Sequence, residues 1–316
     1  MKQAISWILR LALAGGAFLY AVWGIDFDTL WQSLRQYSPG NLLLAQAYLL
    51  ILFLPSTFRI VFLCQGKARV RHAFASVVLG LGLNNILPAK LGELAKVFYL
   101  RRKIGISMGT GLGIVFWERF FDLNAVLLIG AATAFLMQKD LILLPLLLGV
   151  GGIWIFLLVY GVWPPVITFL VHLIPSERLR LLATDTLNNL RDGFHPRFFL
   201  VLGGFTFLAW LAYSSFVFLF LWLVAKFSLT FLQALSVFVV STLGMSLPST
   251  PGSLGVYEAA IVLSLGWFGI GKEQALAAAL TLHMIQYLPT TAGSLLIMVR
   301  SGIGLKELRV SSANQL

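Results

Sequence analysis

An all-α polytopic membrane protein is the fold class this sequence predicts, and three observations predict it. Hydrophobic residues make up 59% of the 316 and charged residues 11%, where soluble domains are about half apolar and one quarter charged. Apolar runs reach the roughly 20 residues that a helix needs to cross the hydrocarbon core. The 23 Lys and Arg gather between those runs. In a soluble chain the net charge of +11 would point to nucleic acid. Here its placement is that of positive-inside loops, with attraction to anionic head groups as a second effect, so no nucleic-acid partner is predicted. The single cysteine, Cys64, permits no internal disulfide and no thiolate cluster, and neither a metal site nor a cofactor is predicted.

Taken in order, the first element is a span over about residues 4–24. Arg10 divides its apolar run and no small-x-small cleavage site follows, so it reads as an uncleaved span rather than a signal peptide. Further spans are predicted over 41–64, 107–137, 141–163, 198–225 and 274–299. Two segments resist this reading. Each is apolar on both sides of a polar, proline-broken centre, around "NNILPAKLGEL" and around "SLPSTPGSLGVYEA" (Ser246 to Ala259), and neither half is long enough to cross alone. The polar stretch 176–195 carries Leu179, Leu182, Leu187, Leu190 and Phe194 at helical spacing. It reads either as an amphipathic helix on the cytoplasmic surface or as a solvated linker helix. The tail beyond Arg309 reads as disordered.

Charge assigns the broken segments a topology. Lys67, Arg69 and Arg71 precede the first, and Arg101, Arg102 and Lys103 follow it. Both ends are then cytoplasmic, and the segment is re-entrant. Counted over the whole chain, this places 15 Lys and Arg inside and 4 outside (Arg35, Lys139, Lys226 and Lys272). Both termini are predicted cytoplasmic, in a bacterial or archaeal cytoplasmic membrane, and the second hairpin enters from the opposite face.

The two broken segments also match each other. "LPAKLGEL" (Leu87 to Leu94) and "LPSTPGSL" (Leu247 to Leu254) share Leu, Pro, Gly and Leu at an offset of 160. Downstream, "GIS" at 105–107 falls on "GIG" at 269–271, Arg119 on His283 and Asp122 on Gln286. An inverted repeat follows, about 41–137 against 198–299 within one transmembrane domain, joined by spans and the amphipathic segment; this arrangement recurs in secondary transporters. Pro88, Gly92, Pro248 and Pro251 are the structural breaks. Irregular backbone is tolerated at that depth only inside protein or beside a water-filled cavity. With Ser249 and Thr250 as N-caps, the second half-helix of each hairpin would start near the midplane, where its free N–H groups favour an anion. Two merely kinked spans are the plainer alternative, but kinks account for neither the match nor the charge pattern.

"NNILPAKLGELAKVFYLRRKIGIS", "VFWERFFDL", "SLPSTPGSLGVYEA" and "LHMIQYLP" resemble the lysylphosphatidylglycerol synthase transmembrane family, also called flippase-like, over nearly the whole chain. The motifs that carry the resemblance are Pro-x-x-x-Gly-Glu at 88–93, Glu-Arg-x-x-Asp at 118–122, and Pro-Gly-x-x-Gly with its following Glu at 251–258. The resemblance implies movement of lipids or lipid-linked groups between leaflets. One branch of the family carries an aminoacyl-lipid synthase domain. No such domain is read in these 316 residues, and the chain is expected not to be an enzyme.

Charges inside spans cost about 2.5–3.5 kcal/mol each even on the lenient scale, so they should face protein. Lys90, Arg119, Ser249, Thr250 and Gly252 are the predicted phosphate-binding residues, converging on one cavity, with Arg119 supplying a bidentate fork. Glu93, Glu118, Asp122, Glu258 and His283 are read as coupling or charge-balancing groups. Each has a plainer reading: Glu118 and Asp122 as a self-satisfied knot with Arg119, Glu93 and Glu258 as caps of their own hairpin helices, and His283 as a partner to a neighbour. Arg59 reads as snorkelling from the end of its span. The expected function is a flippase or transporter of a phosphate-bearing lipid or polyprenyl-phosphate-linked group. A proton- or ion-coupled permease for a small soluble anion is the alternative. An intramembrane enzyme is the weakest reading, since His72, His172, His195 and His283 are scattered and no triad or metal set is evident. A lateral opening wide enough for acyl or prenyl chains would separate the first two.

Overall fold

A computed structural model describes residues 2–162, 169–191, 195–247 and 249–303. These residues are helical, with no strand among them. The first predicted span is α1 (Lys2–Val22). A turn at Gly24, with φ 72°, leads to a helix the sequence reading did not foresee, α2 (Phe27–Arg35). Asp26 caps it, its Oδ1 accepting from Thr29 N at 2.8 Å. The bend between the two is 82°. The next is α3 (Pro39–Leu63).

The first broken segment forms α4 (Val70–Ile86), a 3-10 turn over Pro88–Lys90 and α5 (Gly92–Ile104). At 1.5 Å per residue the two helices measure about 25 and 20 Å, short of the roughly 30 Å hydrocarbon core. They fold back on each other: a Cβ on Gly80 of α4 would lie 3.0 Å from Lys96 Cε and 3.7 Å from Gly92 O of α5. Arg101, Arg102 and Lys103 occupy the last turn of α5, where they complement the helix dipole. Gly105 then ends the helix in the left-handed conformation that glycine adopts without strain.

Next come α6 (Met108–Leu136), started by Ser107 as N-cap, and α7 (Asp140–Val162). The amphipathic stretch forms α8 (Glu177–Arg191). It packs on α6 rather than standing as a solvated linker, with Ser107 Oγ donating to Asp185 Oδ2 at 2.7 Å and Thr110 Oγ1 to Asn189 Oδ1 at 2.9 Å. Residues 192–194 of that stretch, and the tail beyond Arg309, lie outside the described residues. α9 (Pro196–Leu219) continues as a π-helical turn over Phe220–Val224.

The second broken segment forms α10 (Phe231–Ser246), capped reciprocally by Thr230 and Gln233, a 3-10 turn over Pro251–Ser253, and α11 (Val256–Gly266). It too is a hairpin of short helices: a Cβ on Gly244 would sit 3.1 Å from Ala260 Cβ. Gly269, with φ 76°, precedes α12 (Lys272–Ser301). Both hairpins thus end at a left-handed glycine before a long helix, at the two positions the internal match pairs.

Among the described residues four helices are individually long and apolar enough to cross a membrane: Pro39–Leu63, Met108–Leu136, Pro196–Val224 and Lys272–Ser301; the bent pair Arg10–Val22 and Phe27–Arg35 would make a fifth. α7, over the remaining predicted span, has 23 residues.

The chain divides into two compact units. The first comprises Met1–Leu52, Asn84–Lys90 and Trp210–Thr291; the second comprises Phe53–Leu83, Leu91–Ala209 and Ala292–Leu316. In the first unit, Tyr48 stacks on Phe216 with centroids 6.0 Å apart and Tyr37 meets Phe220 edge-on at 6.3 Å. In the second, Trp117 is enclosed by Phe120, Phe198 and Phe199, with centroids at 5.7, 5.1 and 5.6 Å.

Candidate functional site

Six charged side chains of α3, α5 and α6 form one network inside the second unit. Glu118 and Asp122 stand one helical turn apart on α6 and grip the guanidinium of Arg59: Nη2 lies 3.1 Å from Glu118 Oε1 and Nη1 lies 2.6 Å from Asp122 Oδ1. Arg59 Nη1 also donates to Thr206 Oγ1 at 3.2 Å. The other Glu118 oxygen takes Lys96 Nζ at 2.8 Å, and Lys96 reaches Glu93 Oε2 at 3.1 Å. Arg119 Nη2 lies 3.4 Å from both Glu93 Oε1 and Asp122 Oδ2. Three cations therefore face three carboxylates. Charges this buried need partners, because an isolated ion in low dielectric costs several kcal/mol.

The network corrects two readings. Arg59 does not snorkel: it is 3% exposed and central to the cluster. Glu93 does not cap its helix but holds Lys96 and Arg119. Lys96 was missed. A signal for it lay in the charge tally, which left four of the 23 basic residues unassigned to either side: Arg59, Lys90, Lys96 and Arg119. Three of these are the network's cations. Arg119 is its accessible member, with half of its side chain exposed.

The first unit holds the turns of both hairpins, and they pack together, Pro88–Lys90 against Pro251–Ser253. Asn85 joins them to α12. Its Nδ2 donates to Thr290 Oγ1 at 3.1 Å and Thr291 Oγ1 at 2.9 Å, while Tyr287 Oη donates to Asn85 O at 3.0 Å. Gly252, with φ 67°, fits this junction because it has no side chain: a Cβ there would stand 2.6 Å from the Tyr287 ring and 3.2 Å from Asn85 O. Lys90 is exposed and adopts φ 55°.

After the second break the helix begins later than expected. Ser249 and Thr250 do not cap it: Thr250 Oγ1 donates to Leu254 O at 2.8 Å, and Ser249 Oγ is buried without a hydrogen-bond partner. Left-handed backbone at Gly252 and positive φ at Gly255 turn the chain twice more, so α11 starts at Val256. Its N-cap N–H, on Gly255, is taken by Glu258 Oε2 at 2.7 Å. Glu258, not Glu93, is thus the carboxylate that caps its own helix. Its other oxygen lies 2.5 Å from His283 Nδ1 on α12, and both residues are buried. The imidazole sits between the rings of Tyr257 and Tyr287, with centroids at 4.6 and 5.6 Å. Pro248 lies outside the described residues.

The Glu93–Arg119 and Glu258–His283 pairs occupy matching places. Glu93 and Glu258 stand in the first turn of the second hairpin helix. Arg119 and His283 are each eleven residues beyond the start of the following long helix, Met108 and Lys272. Arg119 belongs to the second unit, and Lys90, Ser249, Thr250 and Gly252 belong to the first.

Beside Glu258 the first unit has a cleft of about 440 Å³. α1 contributes Leu11, Ala14, Gly15 and Phe18; the second hairpin contributes Thr250, Leu254, Gly255 and Glu258; α12 contributes Leu280 and Met284. The wall is apolar apart from Thr250 and Glu258. Leu11, Phe18 and Leu254 are exposed at it. α1 approaches so closely that a Cβ on Gly255 would lie 2.8 Å from Ala14 O. Among the described residues no His, Cys, Asp and Glu are grouped to hold a metal ion.

Over 207 residues, 65% of this chain and 88% of the relative, the sequence is 27% identical to the UPF0104 membrane protein MJ1078 of Methanocaldococcus jannaschii. Residues 7–293 match the family described as the lysylphosphatidylglycerol synthase TM region. With a match that takes in both hairpins, the ion network of α3, α5 and α6 and the Glu258–His283 pair, the chain belongs to that family of integral membrane proteins.

Proposed function

We propose that the protein is a lipid transporter, moving a phosphate-bearing lipid or a polyprenyl-phosphate-linked group between leaflets, and that it is not an enzyme. The observation that carries the reading is the cleft beside Glu258. Its walls are apolar, and Leu11, Phe18 and Leu254 stay exposed along it. A soluble anion gains nothing from such walls, whereas a lipid chain can lie along them at little cost, because lipid tails are as apolar as the leucines that line them. The basic composition, with Lys90 exposed and Arg119 half exposed, supports an anionic head group. In this reading both termini are cytoplasmic and the hairpins enter from opposite faces, which the 15-to-4 distribution of basic residues supports.

Proteoliposomes carrying head-group-labelled lipids test this. The native chain should equilibrate a phosphate-bearing lipid between leaflets faster than protein-free vesicles do. Gly15→Trp should suppress that transfer, because Gly15 lines the cleft with open space at its Cβ position. Passage of small anions without lipid transfer would instead establish the permease.

A further inference from the structure

We propose that the mouth of the first hairpin binds the phosphate-bearing head group of a membrane lipid, held by Lys67, Arg69 and Arg71 at the entry to α4 and by Arg101 and Lys103 at the end of α5. The site stands on the charges and geometry of the mouth. Its use in loading lipid for transfer rests on the reading proposed above.

The hairpin gathers cations that lie far apart in the sequence. α4 and α5 run back along each other from Gly80 and Lys96, so the start of one and the end of the other share the mouth. His72, in the first turn of α4, registers this. Burial, then the charges of Arg71, Arg69 and Lys103, hold the imidazole pKa below its ordinary value. A cation from α5 therefore acts on the same ring as two from the entry to α4. Nδ1 of that ring is buried without a hydrogen-bond partner.

Nothing in the mouth balances these charges. Lys67, Arg69, Arg71, Arg101 and Lys103 are all exposed, and among the described residues none of the five is in an ion pair. Residues 65–73 and 99–107 contain no Asp or Glu. Asp185, which reaches the end of this stretch at Ser107, is already bonded to Ser107 and Asn189. Arg102 differs from its neighbours: its Nη1 donates to Gly302 O at 2.9 Å and so ties the end of α12 to the mouth.

A positive-inside bias asks only that such charges lie on one side of the membrane. It does not ask for their position on a helix. Arg69 O accepts from His72 N at 2.9 Å and from Ala73 N at 3.1 Å, which puts Lys67, Arg69 and Arg71 around the first turn of α4. The partial charge of a helix start is positive and disfavours cations. An anion there is attracted by the helix end and by the side chains together, through charge-assisted hydrogen bonds. The neighbouring surface selects a lipid over a soluble phosphate. Val70, between Arg69 and Arg71, is 48% exposed, and the apolar part of a lipid covers it where a free phosphate leaves it wet. Basic clusters beside membrane-embedded helices are the usual partners of anionic head groups.

The full-length protein in detergent, titrated with phosphatidylglycerol or phosphatidylcholine and read by native mass spectrometry, tests the site. Phosphatidylglycerol should bind in preference. Arg71→Gln with Lys103→Gln should weaken it on the order of thirtyfold, since each basic residue at an anionic lipid surface contributes roughly a fivefold factor. Arg178→Gln with Arg197→Gln removes the same charge outside the mouth and should change the affinity less than about threefold. Equal losses in the two double variants overturn the proposal, because the attraction is then diffuse. No preference of the native chain for phosphatidylglycerol overturns it as well, whether or not a variant folds. Displacement of the lipid by millimolar inorganic phosphate overturns the lipid assignment in favour of a soluble phosphate. Lipid transfer in proteoliposomes separates the two readings. Transfer that persists in Arg71→Gln with Lys103→Gln after binding is lost overturns the loading role. Binding by a native chain that transfers no lipid supports the site and removes the transport reading.

Discussion

Replacing Arg59 with methionine tests whether the six-charge network is a single balanced unit. The substitution keeps most of the side-chain volume and removes the charge that both Glu118 and Asp122 share. At the observed separations of 3.1 and 2.6 Å, and with an effective dielectric constant of about 20, the gross attractions are roughly 5 and 6 kcal/mol. Most of this is offset by the cost of burying the ions, and breaking one partner out of a buried pair costs about 3–5 kcal/mol net. Arg59→Met should therefore lower the melting temperature in detergent by on the order of 10 °C. The informative variant is Arg59→Met with Asp122→Asn. It restores equality of charge, now with two cations against two carboxylates. If uncompensated charge is the main cost, the pair should recover 1 kcal/mol or more of the summed single losses, a non-additivity typical of residues in one network. The assay is thermal unfolding of the two single variants and the double, all in one detergent. Additivity within about 0.5 kcal/mol would refute charge balance as the organising rule. The loss at Arg59 would then be one of packing.

Two further expectations concern the hairpin turn and the accessible arginine. Gly252→Ala should destabilise by about 1–3 kcal/mol through backbone strain at positive φ and the close approach of Tyr287 and Asn85. The same change at Gly16, an exposed position of α1 with open space at its Cβ, should stabilise by about 0.5–1 kcal/mol; thermal melts that rank the two alike would dismiss the conformational argument. Arg119→Lys should impair lipid transfer nearly as much as Arg119→Ala, because an ammonium lacks the bidentate fork. Full transfer by the lysine variant would assign Arg119 to charge balance alone.

The sequence exposed local periodicity well and long-range pairing poorly. Both hairpins were legible because Pro88 and Pro248 interrupt apolar runs too short to span, and the match of Gly105 with Gly269 marked where each hairpin ends. The Glu-Arg-x-x-Asp motif announced a buried cluster, since Glu118 and Asp122 share a helix face. Its main cation was not legible: Arg59 lies 59 residues upstream of Glu118, and nothing local says that α3 presents it to α6. The helix α2 has an ordinary N-cap in Asp26, but it was absorbed into a loop between two long apolar runs. The start of α11 was misplaced for a different reason. Ser249 and Thr250 are good N-caps in isolation, and positive φ at Gly252, Ser253 and Gly255 overrides that local preference.

Seen through the repeat, Glu93 with Arg119 and Glu258 with His283 are one arrangement with two outcomes, and exposure and distance separate them. In the second unit Arg59 and Lys96 are buried and held at 2.6–3.1 Å by their carboxylates. Exchanging either for an incoming anion would strand a charge in low dielectric. Arg119 differs: its contacts are the longest of the network at 3.4 Å, and half of its side chain is accessible. It can turn toward an anion while Glu93 keeps Lys96 and Asp122 keeps Arg59, so the buried part of the cluster stays paired. In the first unit Glu258 instead faces the buried imidazole of His283. The first repeat therefore sets an accessible guanidinium beside its carboxylate, and the second sets a buried imidazole there.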